Sequence, residues 1–276
     1  MTDSTACLVD EVDGVTVVPI TMIVSGTPHD DPTPHPPQTN PPPTAYTSPS
    51  GSASTSRPSP ARFAACYAAL AESGVTAIAS IHLSAEMSGT VDSARAAARD
   101  AAIPVEVIDS RSIGMGLGYP VLAAARAAAA GASLETVTSA ARRCATSTRT
   151  YFYVDTLDNL RRSGRIGAAA RLLGSALMIK PLLHIVDGQI ALLEKVRTAT
   201  RAIARLEDLA VQAAGDGPVE LAVQHLAARP RAEALAERLR KRLPALADLQ
   251  VVEVGPVIGV HVGPGMLGLT ITPHTS

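Results

Sequence analysis

Short runs of β-branched and aliphatic residues recur along the chain, separated by longer Ala-rich stretches whose apolar residues return every three or four positions. The short runs suit strands buried on both faces, and the longer stretches suit helices laid over them. Residues 1–5 read as the end of a strand and its turn, and 15–24 as a strand region interrupted at Pro19. Further strands are predicted at 75–81, 104–108 and 151–154, with helices at 61–71, 91–102, 119–130 and 133–146 between them. Ser59 is placed to cap the first helix, with Pro60 at its first position. This β-α-β-α order, closed by the strand at 151–154, implies a parallel, Rossmann-like sheet with right-handed crossovers.

From Asp155 the rhythm changes. A short helix is predicted at 157–162 and a longer one at 168–178. Strands at 182–186 and 189–193 then flank Asp187-Gly188, a two-residue hairpin signal. A helix at 200–213, a strand at 219–223, a helix at 231–243 and strands at 251–254 and 267–272 follow. The expectation is an α/β protein of two domains, a parallel one over 1–154 and a mixed-sheet one over 155–276.

Composition changes this picture in one place. Pro, Ser and Thr dominate residues 27–56, which cannot bury enough apolar surface to offset chain entropy and are expected to be irregular. His29 and His35 within them read as solvated residues. The formal charge of -1, aromatics at 3% and the absence of Trp argue against nucleic acid as a partner. Cys7, Cys66 and Cys144 are odd in number and far apart, which suits unpaired thiols in a reducing cytoplasm. No apolar run approaches the ~20 residues of a membrane span.

Catalytic signatures such as G-x-S-x-G, H-E-x-x-H and the Walker loop are missing, and the glycines at 114–118 do not match a dinucleotide fingerprint. No cofactor and no metal are expected. What remains is a set of neutral groups: Thr55, Ser56, Ser84, the Ser88-Gly89-Thr90 turn, and His261 in a glycine-proline loop at 255–265. The Ser88-Gly89-Thr90 turn stands where a strand gives way to a helix, and unpaired N–H groups and the helix dipole there favour an anion. The plainer reading is that Ser88 or Thr90 caps its own helix and that His261 is structural. Arg161, Arg162, Arg165 and Arg171 form either a solvated basic face or a docking surface for an acidic partner.

Several motifs in series resemble the DegV family. They are T-S-x-P-S at 55–59, S-x-x-x-S-G-T at 84–90, D-S-R-S-x-G-M-G-x-G at 109–118, R-R-S-G-R-I-G at 161–167, E-K-V-R-T at 194–198, and G-P-V-I-G-x-H-x-G-P-G at 255–265. The resemblance implies a two-domain α/β fold holding a long-chain fatty acid between its domains. It also implies a non-catalytic role, presenting the carboxylate to a partner fatty-acid kinase in the cytoplasm, which allows transient membrane contact. Carried over residue by residue, Thr55, Ser56, Ser84, Ser88, Gly89, Thr90 and His261 would hold the acid, and Arg165 and Arg197 would face the kinase. Ala176, Leu177 and Ile258 are candidates for the tail tunnel. Two departures stand out. Met1 occupies the place of the last residue of the family's opening strand, and prolines replace a short gating helix within 27–54. The alternatives are an enzyme or a regulatory module acting on a small anionic metabolite.

Overall fold

The computed structural model describes residues 1–32, 53–167 and 180–274. β1 (Thr2–Asp3) pairs in parallel with β2 (Val17–Val18). β3 (Thr21–Val24) lies between β4 (Thr27–Asp30) and β5 (Ala53–Ser56) in an antiparallel sheet. α1 (Pro60–Glu72), β6 (Ile78–His82), α2 (Thr90–Ala98), β7 (Val105–Asp109), α3 (Met115–Ala129) and α4 (Leu134–Ser147) follow. β6 and β7 are parallel, and the Ile81 amide donates to the Met1 carbonyl at 2.9 Å, tying that pair to β1.

The remaining elements are β8 (Arg149–Tyr153), α5 (Asp158–Arg162), β9 (Lys180–Val186), β10 (Gln189–Val196), α6 (Ala199–Ala214), β11 (Val219–His225), α7 (Arg229–Arg242), β12 (Leu246–Glu253), α8 (Pro256–Val262) and β13 (Leu267–Pro273). The strands form one six-stranded mixed sheet in the order β10-β9-β8-β13-β11-β12. Only β11 and β12 run parallel; the other pairs are antiparallel. The fold is thus the mixed α/β class that the apolar pattern implies.

Local chemistry explains several boundaries. The Ser59 hydroxyl accepts from the Arg62 amide at 3.2 Å with Pro60 opening α1, and Ser133 and Thr198 cap α4 and α6 in the same way. Asp187 and Gly188 adopt φ 51° and 78°, the left-handed pair a tight hairpin requires.

Four expectations need correction or fall outside. The strand expected to close the parallel pattern at 151–154 is β8, which pairs antiparallel with β9 and β13. A short apolar run does not encode the direction of its neighbour. The stretch at 27–56 is not irregular throughout, because β4 and β5 pair with both edges of β3; main-chain bonding to a ready strand does not need apolar side chains. The glycine-proline loop at 255–265 contains α8, with Pro256 at its start, a position where proline suits a helix. The helix expected at 168–178, with Arg171, Ala176 and Leu177, lies outside the described residues.

The period of two along the mixed sheet sorts its side chains onto two faces. Tyr153, Leu182, Leu221, Val223, Leu267 and Leu269 join Ala202, Leu206 and Ala210 of α6 and Leu235 and Leu239 of α7 in one core. Phe152, Leu183, Ile190, Val254 and Met266 join Met115 and Tyr119 of α3 in another. The second core is therefore shared between the parallel elements and the mixed sheet, and the cavity opens into it.

Candidate functional site

The cavity together with the open solvent at its mouth spans about 890 Å³. Its walls are apolar: Ile20, Leu83, Ile113, Phe152, Ile185, Ile190, Val254, Ile258 and Met266 contribute from both sets of elements. Gly268 on β13 lies opposite Phe152 and leaves open a sheet position that any side chain would fill. Among the described residues no Asp, Glu or Lys lines it.

The polar lining is concentrated in Thr55, Ser56, Arg57, Ser88, Thr150, Arg165, Gln224 and His261. Thr55 and Ser56 end β5, which the register with Met22 and Thr21 fixes beside β3. The Thr55 hydroxyl and His261 Nε2 are 2.9 Å apart. His261 sits in the last turn of α8, and its Nδ1 is buried with no partner among the described residues. Burial, assisted by the Arg165 guanidinium, pushes the imidazole down to about 4, so it is neutral at physiological pH. The Ser88 hydroxyl is 2.9 Å from that of Thr90, and Gly89 stands at the N-cap of α2, which has no side-chain cap. The self-capping reading of Ser88 or Thr90 is therefore not what the turn does. Gln224 and Thr150 are already engaged: Gln224 accepts from the Met115 amide at 2.9 Å and donates to Thr270 at 2.8 Å, and Thr150 bonds the same Thr270 at 3.0 Å.

The other expected site residues have different surroundings. The Ser84 hydroxyl is buried and donates to the Gly188 carbonyl at 2.7 Å, holding the β9–β10 hairpin against the loop after β6. Thr90 is buried behind Ser88. Gly89 underlies Arg57, and a β-carbon there would collide with the guanidinium. Arg165 lines the mouth and donates to the Ser163 carbonyl at 2.5 Å, while Arg197 is exposed beyond β10 and away from the lining. Arg57, the variable residue within T-S-x-P-S, was not among the expected site residues; only its place between Thr55 and Pro58 could have pointed to it. The aliphatic wall, Ile258 apart, was not legible, since those residues look like any buried core.

Such a cavity can seat an apolar chain along its walls and an oxyanion at its neutral donors. Among the described residues no His/Cys/Asp/Glu group could hold a metal ion, and no helix is long and apolar enough to cross a membrane.

Comparison with known proteins agrees with this geometry. Residues 1–274 match the sequence profile described as an uncharacterised protein of the DegV family. A DegV domain-containing protein of Streptomyces coelicolor is 51% identical over 275 residues, covering 99% of this chain and 97% of its own. A fatty-acid-binding DegV family protein from Thermus thermophilus has a solved structure that superposes with a TM-score of 0.87 at 29% identity, covering 99% of this chain and 98% of its own. DegV of Bacillus subtilis, described as a fatty acid binding protein, gives the same TM-score, identity and coverage. The chain belongs to the DegV family.

Proposed function

We propose that this protein binds one long-chain fatty acid in the cavity, carboxylate at the mouth, and presents it to a fatty-acid kinase without catalysing a reaction itself. The observation that carries the reading is the coincidence of an apolar cavity with Thr55, Ser88 and a neutral His261 in its lining, Thr55 and His261 being 2.9 Å apart. Burying a sixteen-carbon tail at ~0.8 kcal/mol per methylene gives an upper limit of about 12 kcal/mol before the costs of association. Charge-assisted hydrogen bonds add roughly 1.5–3 kcal/mol each. The tail supplies affinity, and the donors decide which end faces out. Hydroxyls and a neutral imidazole hold an oxyanion without attacking it, which supports a carrier over an enzyme.

Native mass spectrometry of protein purified from cells tests this directly. One added mass equal to a long-chain fatty acid supports it; an empty protein, or a sugar-phosphate-sized adduct, overturns it. Arg165 at the mouth and Arg197 on the exposed surface are proposed to meet the kinase. Arg197→Glu is then expected to lower phosphorylation of the bound lipid while the lipid stays in place.

A further inference from the structure

The charge balance of the cavity leaves one requirement unmet. A carboxylate brought from water into an aliphatic cavity loses hydration that neutral donors replace only in part. His261 is neutral, and among the described residues no acidic or lysine side chain lines the walls. Among the described residues, the permanent cations in the lining are Arg57 and Arg165. Arg165 spends a donor on the Ser163 carbonyl. Arg57 has no hydrogen bond or ion pair to any described residue.

Arg57 is nevertheless held in place. Its stem and guanidinium rest on Gly89, beside Ser88, where the missing side chain leaves the room they occupy. Arg57 directly follows β5, whose Thr55 bonds His261. A planar fork of donors is thus parked in the lining that also holds the two hydroxyls and the imidazole, with no partner among the described residues. This differs from Arg62, which is tied down by both Asp30 oxygens at 2.8 and 2.7 Å.

Resting on the fatty-acid reading above, we infer that Arg57 reads the charge of the ligand's head group, so that the cavity takes acyl chains ending in an anion and disfavours neutral ones. Gly89 has a positioning role in this, by giving the guanidinium its seat.

The test compares hexadecanoate with hexadecan-1-ol, each displacing a fluorescent acyl probe, in the wild type, Arg57→Gln, Arg57→Lys and Gly89→Ala. Loss of a charge-assisted bond corresponds to about a 10- to 100-fold weaker hold on hexadecanoate in Arg57→Gln. Hexadecan-1-ol should change less than about threefold, because its tail contacts remain. Arg57→Lys should recover part of the loss, as a point charge without the fork. Gly89→Ala should weaken hexadecanoate selectively with the arginine still present. Equal weakening of both probes in Arg57→Gln would mean that Arg57 only packs, and an unchanged hold on hexadecanoate would mean that it does nothing; either overturns the inference alone. A wild type that holds neither probe overturns the fatty-acid reading and this inference together.

Discussion

Burial rather than charge sets the ionisation of Asp31 and His261. The Asp31 carboxyl, just after β4, is pushed up to about 7 by burial, with the Ser4 hydroxyl and the Val257 amide opposing and Asp3 adding. Its folded value lies above the usual carboxylate value of 3.8. The stability it contributes is therefore present below pH 3.8 and is lost as pH rises toward 7. Asp31→Asn should match the wild type near pH 4 and exceed it at pH 8.5 by up to about 4 kcal/mol in urea unfolding. A constant difference across that range would show that the carboxyl is not the titrating group. His261 works in the opposite sense. Burial holds it down to about 4 in the free protein, and a carboxylate seated beside it favours the protonated ring. Its NMR titration midpoint should move up when hexadecanoate binds, with a proton taken up. Ser88→Ala and His261→Ala should each weaken the hold on the acid by about tenfold or more, and a midpoint that stays put would place the acid group elsewhere.

The β9–β10 hairpin is the element that closes the cavity from the mixed-sheet side. Ile185 and Ile190 on its two strands line the wall, and its tip is bonded to Ser84 through the Gly188 carbonyl, to Arg111 through Asp187, and to Glu86 through Gln189. Gly188→Ala asks for a side chain at φ 78° and puts a β-carbon 2.6 Å from the Ser84 hydroxyl. Gly131→Ala at φ 77° meets nothing within 4 Å. Gly131→Ala should cost about 1 kcal/mol in backbone strain alone, and Gly188→Ala about 2–3 kcal/mol, with faster release of bound lipid. Equal costs and equal release rates would mean that the tip contact holds nothing. The hairpin was legible from Asp187-Gly188, because a primed turn needs two left-handed residues and few dipeptides supply them. The antiparallel placement of β8 was not, because strand direction depends on partners far along the chain.

At the scale of the molecule, the mixed sheet separates two jobs. One face packs on α6 and α7, where Leu206 is fully buried, and the other face lines the cavity. Leu206→Ala should lower stability by about 2–5 kcal/mol yet leave the affinity for hexadecanoate within about twofold, whereas Phe152→Ala on the opposite face should change affinity. If both variants lose the lipid alike, the two faces are not independent. Bound lipid should raise the melting temperature in proportion to RT ln(1 + [L]/Kd).

What the amino-acid order determined by itself was local: the helices with their Ser59, Ser133 and Thr198 caps, the hairpin, and the strands that alternate between two apolar faces. Each depends on residues within a few positions of one another. Family motifs added the neutral donors Thr55, Ser88 and His261. Only the tertiary structure decided which of these meet, since Thr55 and His261 are 206 positions apart and are joined at 2.9 Å by the packing of α8 on β5. It also joined the Ser84 hydroxyl to the hairpin and set Arg57 over Gly89. Contact between distant segments is chosen by the burial of whole faces, and no short window of sequence contains that choice.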